Sequence, residues 1–259
     1  MPSDFYICVL GSGSKGNCVY LRAGGVHFLV DAGLRYNDVE KRLHDIDVST
    51  KDIQHVFITH EHIDHISGLK KFAKNNTATV HLNAQTYLRV SSELPAHYPV
   101  NVFDTAFEIN DIRVTPFAVS HDAVDPMAFS FSFLGKKISV VTDTGYATTL
   151  VKEQIKNSDV MVLECNHDEE MLKKGIYPWP LKQRIAGKLG HLSNLQAAQT
   201  LAEVTSERLR HVFLAHLSAE NNSPKLALET VGSHFSNLQL NCPALIMTHQ
   251  SRVSELVSI

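Results

Sequence analysis

The sequence predicts an α/β protein in which two sheets pack face to face with helices outside. Three observations carry this. Strand-like runs occur in both halves, helical segments are interspersed among them, and 259 residues are enough to bury a full core. No repeat, low-complexity tract or long linker interrupts the chain, so residues 1–259 are expected to form a single domain.

The elements follow in order. "FYICVL", "CVYLRA" and "VHFLVDAG" read as short strands separated by Gly-rich turns. After "VFIT" the pattern predicts a helix over "ISGLKKFAKN", a strand "TVHL" and a second helix around "AQTYLRVSSEL". Two hairpins follow, "FEINDIRVTPFAVS" turning at Asn110-Asp111 and "FSFSFLGKKISVVTD" turning at Gly135. A helix near "LVKEQIKN" leads into a buried strand, "DVMVLEC". The last third reads helix "NLQAAQTLAEVT", strand "HVFLAH", helix "PKLALETVGSHF" and strand "PALIMTH".

Composition narrows the function. With 24 basic and 27 acidic residues the charge is nearly balanced, so any nucleic-acid contact must be local. Cys8, Cys18, Cys165 and Cys242 lie far apart without a C-x-x-C pair, which suits free thiols in a reducing cytoplasm. "MPSDFYICVLGSGSKGN" has no basic region leading into a long apolar run, and no apolar stretch reaches the ~18–20 residues a bilayer requires. Neither secretion nor membrane insertion is expected. The unusual figure is 15 histidines, several of them at strand ends.

"VFITHEHIDHISGL" places three histidines and an aspartate within six residues behind an apolar run. Residues two apart share a face of an extended segment, so His60 and His62 can address one metal. Asp64 and His65 fall where the chain turns into a helix and can serve a second ion nearby. Imidazole and carboxylate donors suit zinc or manganese and also accept iron. "GSGSKG" (Gly11, Gly13, Gly16) fits G-x-G-x-x-G, but strand-like sequence follows it, which excludes a dinucleotide fold and favours a Gly-rich turn near the metal loops.

"THEHIDHISGL" resembles the H-x-H-x-D-H motif of the metallo-β-lactamase fold superfamily. The resemblance implies a four-layer αββα sandwich with a two-metal site at the edge of the sheets. "FLVDAG" then supplies Asp31 as a support for ligand histidines, "VSHDAVDP" supplies His121, "VVTDTG" Asp143 and "FLAHLS" His216. So His60, His62 and His121 are expected on one ion, Asp64, His65 and His216 on the other, with Asp143 bridging. His249 is the rival of His216, since "LIMTH" also ends a strand in histidine. Only His216 is followed by the family-like "LSAENNSP". His55 and His81 read as ordinary structural histidines.

The retained His62 argues against flavo-diiron oxidoreductases. Asp143 and His65 argue against secreted lactamases. "MVLECNHDEEML", "GIYPWPLKQRIAGKLGHLSNLQAAQTLAEV" and "RHVFLAHLSAENNSP" resemble the YycJ/WalJ family of metallo-β-lactamase-fold nucleases, and their order is similar to that in ribonuclease Z. That resemblance implies a metal-dependent phosphodiesterase, with DNA favoured over RNA as substrate, acting through a metal-bridging hydroxide. Asp64, His191 and Glu164 become the candidate catalytic residues, His191 as proton donor to the leaving oxygen and Glu164 as its partner. Ser193 and Asn194, at a helix start, are expected to offer N–H groups to phosphate, although Ser193 as a plain helix cap and Glu164 as a structural acceptor compete. His167 and Asp168 match the family motif without an assignable chemistry.

Residues 171–191 contain Lys173, Lys174, Lys182, Arg184 and Lys188 and no acid, with Tyr177 and Trp179 interleaved. Basic side chains with aromatics suit a single strand, phosphates on the former and bases on the latter, so Lys182 and Arg184 are expected to bind substrate. A solvated helix anchored by Tyr and Trp is the competing reading. RNA processing is the main alternative activity. A glyoxalase II-like thioesterase would leave the basic aromatic segment idle, and a metal-dependent binding module would have no chemical need for seven ligands.

Overall fold

The first strand, β1 (Phe5–Gly11), shows the rule that builds the fold. Phe5, Ile7 and Val9 enter one apolar cluster while Cys8 and Leu10 enter another, as the period of two requires. A strand apolar on both faces has to be covered on both. A computed structural model describes residues 4–259. The first three residues of the N-terminal stretch read above for a secretion signal lie outside the described residues.

The first half continues with β2 (Cys18–Ala23), β3 (Val26–Val30), α1 (Tyr36–His44), β4 (Ile53–Phe57), α2 (Ile63–Ile66), α3 (Leu69–Asn75), β5 (Thr79–Leu82), α4 (Ala84–Val90) and β6 (Val100–Val102). The second half holds β7 (Phe107–Ile109), β8 (Ile112–Ala118), β9 (Met127–Phe133), β10 (Lys136–Val141), α5 (Thr149–Ile155), β11 (Val160–Glu164), α6 (Glu169–Lys174), α7 (Trp179–Ala186) and α8 (Asn194–Val204). Then come β12 (His211–Ala215), α9 (Pro224–Asn237), β13 (Ala244–Met247) and β14 (Val257–Ser258).

Among the described residues the strands form two seven-stranded sheets, β14-β1-β2-β3-β4-β5-β6 and β13-β12-β11-β10-β9-β8-β7. Phenylalanines from both sheets, including Phe5, Phe28, Phe57, Phe129, Phe131 and Phe213, meet in the cluster between them. A second cluster lies under α5, α8 and α9, and a third under α1 and α3. This is the expected αββα order.

The topology also fixes where a site can form. β3, β4 and β5 run parallel, as do β10, β11 and β12, and β1 and β8 point the same way as β3 and β10 through antiparallel neighbours. The segments leaving the carboxyl ends of β1, β3, β4, β8, β10, β11 and β12 can therefore gather at one rim, as in other open α/β sheets.

The expected helix over 66–75 is split into α2 and α3. Gly68 donates its N–H to the Ala32 carbonyl, and a Cβ there would collide with the Leu34 carbonyl, so the chain breaks where it crosses the β3 loop. The helix expected over 84–94 ends at Val90 and finishes as a 3₁₀ turn. α1, α6, β6 and β14 were not anticipated. α1 buries only Val39 and Leu43 and has no side-chain N-cap, and β6 and β14 are three and two residues long.

Candidate metal centre and active site

The site residues follow strands that end at the shared rim, His60 and His62 in the loop after β4 and Asp64 and His65 in α2 directly behind it. Asp31, Asp143 and His216 follow β3, β10 and β12 with φ of 63°, 55° and 57°. Left-handed backbone at a non-glycine residue costs about 1–3 kcal/mol and persists where the surroundings enforce it. Here it turns the chain sharply, so that the side chain enters the centre instead of continuing along the sheet.

The structure brings the seven candidate ligands together. Donor atoms of His60, His62 and His121 lie within 4.8 Å of one another, and so do those of Asp64, His65 and His216. Asp143 stands between the groups. Its Oδ2 is 3.1 Å from His65 Nε2, and its Oδ1 is 3.5 Å from His216 Nδ1 and 3.8 Å from His121 Nε2. His249 joins neither group. Its ring meets Arg252 at 2.7 Å on the surface.

Four of the ring orientations are fixed from behind. His60 Nδ1 meets Thr59 Oγ1 at 2.9 Å, His65 Nδ1 meets Asp31 Oδ2 at 2.7 Å, His121 Nδ1 donates to the Gly190 carbonyl at 3.1 Å, and His216 Nδ1 meets Glu164 Oε1 at 2.8 Å. With Nδ1 committed, Nε2 is left for an ion. Thr59 N–H and Oγ1 donate to Asp31, which steadies that carboxylate in turn.

The fit to metal can be tested on groups left without partners. His60 Nε2 and His216 Nε2 are buried and make no hydrogen bond, and Asp143 Oδ2 has only the ion pair with His65. Burying such atoms unpaired is costly, so a cation between them is the natural complement. The charges agree. Burial works against a charged His216, yet Asp143, Asp64 and Glu164 outweigh it and push the imidazole up to about 10. His65 is also raised well above the usual histidine value, Asp143 and Asp31 prevailing over burial. Burial would raise Asp143 and Asp64, but the His216 and His65 imidazoles hold both far below the usual carboxylate range. The centre is a nest of carboxylates whose charge is balanced by protons that a divalent ion would displace.

His191 reaches the same centre from the loop after α7. Its Nδ1 meets Glu164 Oε1 at 2.8 Å, so Glu164 holds both His191 and His216. Glu164 Oε2 accepts the Thr144 and Leu192 N–H groups. All four acceptor positions of this fully buried carboxylate are used. Burial would raise its pKa, but the two imidazoles hold it at about 2. Asp143, Glu164, His191 and His216 form a further close grouping, yet Glu164 has no lone pair left for an ion.

Other expected residues lie elsewhere. Ser193 and Asn194 are buried, and their N–H groups are taken. Ser193 N–H donates to Gln196 Oε1 within a capping box, and Asn194 N–H donates to the His167 carbonyl. The Asn194 side chain sits between Cys165 and Asn222. The expected phosphate contact at these two residues is corrected to a structural role. Asp168 caps α6, and His167 is buried with Nδ1 unpartnered. Lys182 Nζ donates to the Lys173 carbonyl, away from the centre. Arg184 does reach it, pairing with Asp122 beside His121. His55 and His81 bond to each other at 2.9 Å.

A cleft of about 330 Å³ opens over His62, Asp64, His121, Asp143, His191 and His216, walled by Ser14, Tyr177, Leu181, Arg184, Ile185 and Ser218. A larger hollow lined by Lys51, Lys74, His97 and Tyr98 contains none of the metal donors. Residues the sequence did not single out include Ser12 and Asn17 in the Gly-rich turn, Asp122, and Asn166, whose amide donates to the His216 carbonyl. Each lies within a quoted stretch, Ser12 and Asn17 in "GSGSKGN", Asp122 in "VSHDAVDP" and Asn166 in "MVLECNHDEEML", but none was singled out there.

A two-sheet sandwich with clustered metal donors at its rim defines a metal-dependent hydrolase. Residues 27–216 match the family described as the Beta-lactamase superfamily domain. The chain is 37% identical over 231 residues to "Exodeoxyribonuclease YycJ" of Bacillus anthracis, covering 87% of each protein. It is 35% identical over 242 residues to "Exodeoxyribonuclease WalJ" of Streptococcus pneumoniae, covering 91% of this chain and 90% of that one. The chain therefore belongs to the metallo-β-lactamase fold superfamily and, within it, to the YycJ/WalJ family. In fold it is similar to YhfI from Bacillus subtilis (TM-score 0.75, 15% identity, 97% and 99% of the chains) and to the short form of human tRNase Z (TM-score 0.67, 15% identity, 98% and 99%).

Proposed function

We propose that this chain, acting as one domain, is a metal-dependent exonuclease that hydrolyses DNA phosphodiesters. The observation that carries the reading is the pairing of His191 with Glu164 beside two groups of metal donors, in a chain sharing 35–37% identity with exodeoxyribonucleases. His60, His62 and His121 would hold one divalent ion, and Asp64, His65 and His216 the other, with Asp143 shared and Asp31 holding His65 from behind. Zn²⁺ or Mn²⁺ suits these donors, and Fe is also accommodated. Such ions supply a nucleophile at neutral pH and neutralise charge on the phosphate oxygens.

The chain's own residues do the rest. Asp64 and Asp143 would present carboxylate oxygens that hold and orient the attacking water. His191, steered by Glu164, gives a proton to the leaving sugar oxygen. Arg184 and Tyr177 wall the cleft, one offering charge to phosphate and the other a face to a base. Four free cysteines, three of them buried, support a reducing cytoplasmic setting. Among the described residues no helix is long and apolar enough to cross a membrane.

The test is digestion of 5′- and 3′-labelled single- and double-stranded DNA and RNA with Mn²⁺ or Zn²⁺. Mononucleotide release from DNA is expected. Faster cleavage of RNA would move the reading to RNA processing, and thioester turnover without polymer cleavage would overturn it.

A further inference from the structure

The Gly-rich turn after β1 touches one half of the metal centre and not the other. Asn17 Nδ2 lies 3.3 Å from Asp64 Oδ2 and 3.1 Å from His65 Nε2. Ser12 Oγ accepts the His216 N–H at 2.8 Å, holding the left-handed residue that brings this imidazole inward. Asp64 and His216 are thus tied to residues 12–17, and the Asn17 amide packs against the edge of the His65 ring. The hydrogen bonds of the His60, His62 and His121 rings go to Thr59, Gly190 and one another instead.

The amide orientation of Asn17 is set by its other end. Oδ1 accepts from Ser12 Oγ and from the Gly13 N–H, which leaves Nδ2 facing Asp64. An amide nitrogen cannot ligate a cation, so Asn17 can only hold a ligand in place. Its backbone does the same, its N–H donating to the Asp64 carbonyl and its carbonyl accepting from Gly33. The turn itself is gripped from the far end of the chain. The Lys15 N–H donates to Gln250 Oε1, Gln250 Nε2 donates to the Gly16 carbonyl, and the Ser12 N–H donates to the His249 carbonyl.

We propose that Asn17 is a positioning residue for the Asp64–His65–His216 ion alone, with Gln250 acting behind it by holding the turn. The proposal rests on the two-ion reading above. Partners that orient ligands contribute about 10–100-fold to metal affinity. Asn17→Ala should therefore weaken one of two binding events by about that factor and leave the other at its wild-type affinity. Gln250→Ala, at a half-buried position further from the donors, should weaken the same event by less.

The experiment titrates metal-stripped wild type, Asn17→Ala and Gln250→Ala with Zn²⁺ and with Mn²⁺ by calorimetry, with circular dichroism to show that each is folded. Added to His216→Ala, Asn17→Ala should cost no further metal. Added to His62→Ala, it should weaken the ion that is left. Two unchanged affinities in folded variants, or equal weakening of both ions, overturn the proposal while the two-ion reading stands. A wild-type protein that takes up only one ion overturns both.

Discussion

Two sets of histidines lie at strand ends and interiors. The contrast is sharpest between His65 and His216 in the first and His55 and His81 in the second, since burial lowers His60 and His121 as it lowers His81. His65 and His216 lie among carboxylates, and their pKa values rise despite burial. His55 and His81 lie among phenylalanines, His81 stacked between Phe57 and Phe107, and burial pushes His81 down to about 3. The first set leaves the Nε2 atoms of His60 and His216 without partners, whereas the second satisfies itself, His55 with His81 and His81 with Asn101. A histidine count therefore says little. What sets His216 apart from His81 is a carboxylate partner on Nδ1, an Nε2 without a hydrogen bond and further carboxylates around the ring.

The sharpest way to break this comparison is to remove one histidine from each set. His216→Ala should lose an ion equivalent and nearly all DNA hydrolysis, because no other side chain can replace its Nε2. His81→Gln and His249→Ala should keep full metal content. Elemental analysis of the purified variants decides it. Metal loss in His249→Ala with retention in His216→Ala would mean that the wrong strand-end histidine has been chosen.

His191 falls between the two sets. It shares Glu164 with His216 but has a partly exposed ring, and it stands outside the two ligand triads. A positioned general acid contributes about 10²–10⁴-fold, so His191→Ala should lose that much on DNA while metal content is unchanged. On a p-nitrophenyl diester, whose leaving group departs unprotonated, the loss should be far smaller. Metal loss in this variant would make His191 a ligand.

A smaller effect is expected from the basic segment. Arg184→Gln should weaken DNA binding and reduce the salt slope by about 0.7–0.9, one phosphate contact's worth. Lys182→Gln should do less, since its ammonium is engaged by the Lys173 carbonyl. Binding measured from 50 to 200 mM salt reads both. Equal effects would show that DNA follows the whole segment and not only its cleft-facing side.

These differences explain what could be read from the chain. The His60–His65 cluster was legible because its ligands are local, and a strand end converts spacing directly into direction. Both hairpins were legible from their turns, and the αββα order from the resemblance carried by the metal motif. Asn17 with Asp64, Ser12 with His216 and Lys15 with Gln250 were not, since they join residues 47, 204 and 235 apart and carry no periodic signal. Ser193 shows the opposite error. The cap was read correctly, but only the fold reveals that the N–H groups of Ser193 and Asn194 are already bonded. The break at Gly68 likewise depends on a neighbouring loop.

The smallest effect tests the comparison from the structural side. His81 is depressed in the folded protein by burial and by His55, from an ordinary value of 6.5 to about 3. Below pH 6.5 the unfolded chain therefore binds a proton that the folded chain refuses. Stability from this residue is complete above pH 6.5 and falls as the pH drops toward 3. For one such group the loss between pH 7.5 and 5.5 is about 1.4 kcal/mol. His81→Gln offers no titrating group in either state, so its loss of stability over that interval should be smaller than the wild type's by about this amount. Urea unfolding of the two metal-saturated proteins at both pH values measures the difference. Parallel losses would mean that folded His81 takes up a proton as readily as a free imidazole, and the contrast between phenylalanine and carboxylate surroundings would no longer separate the two sets.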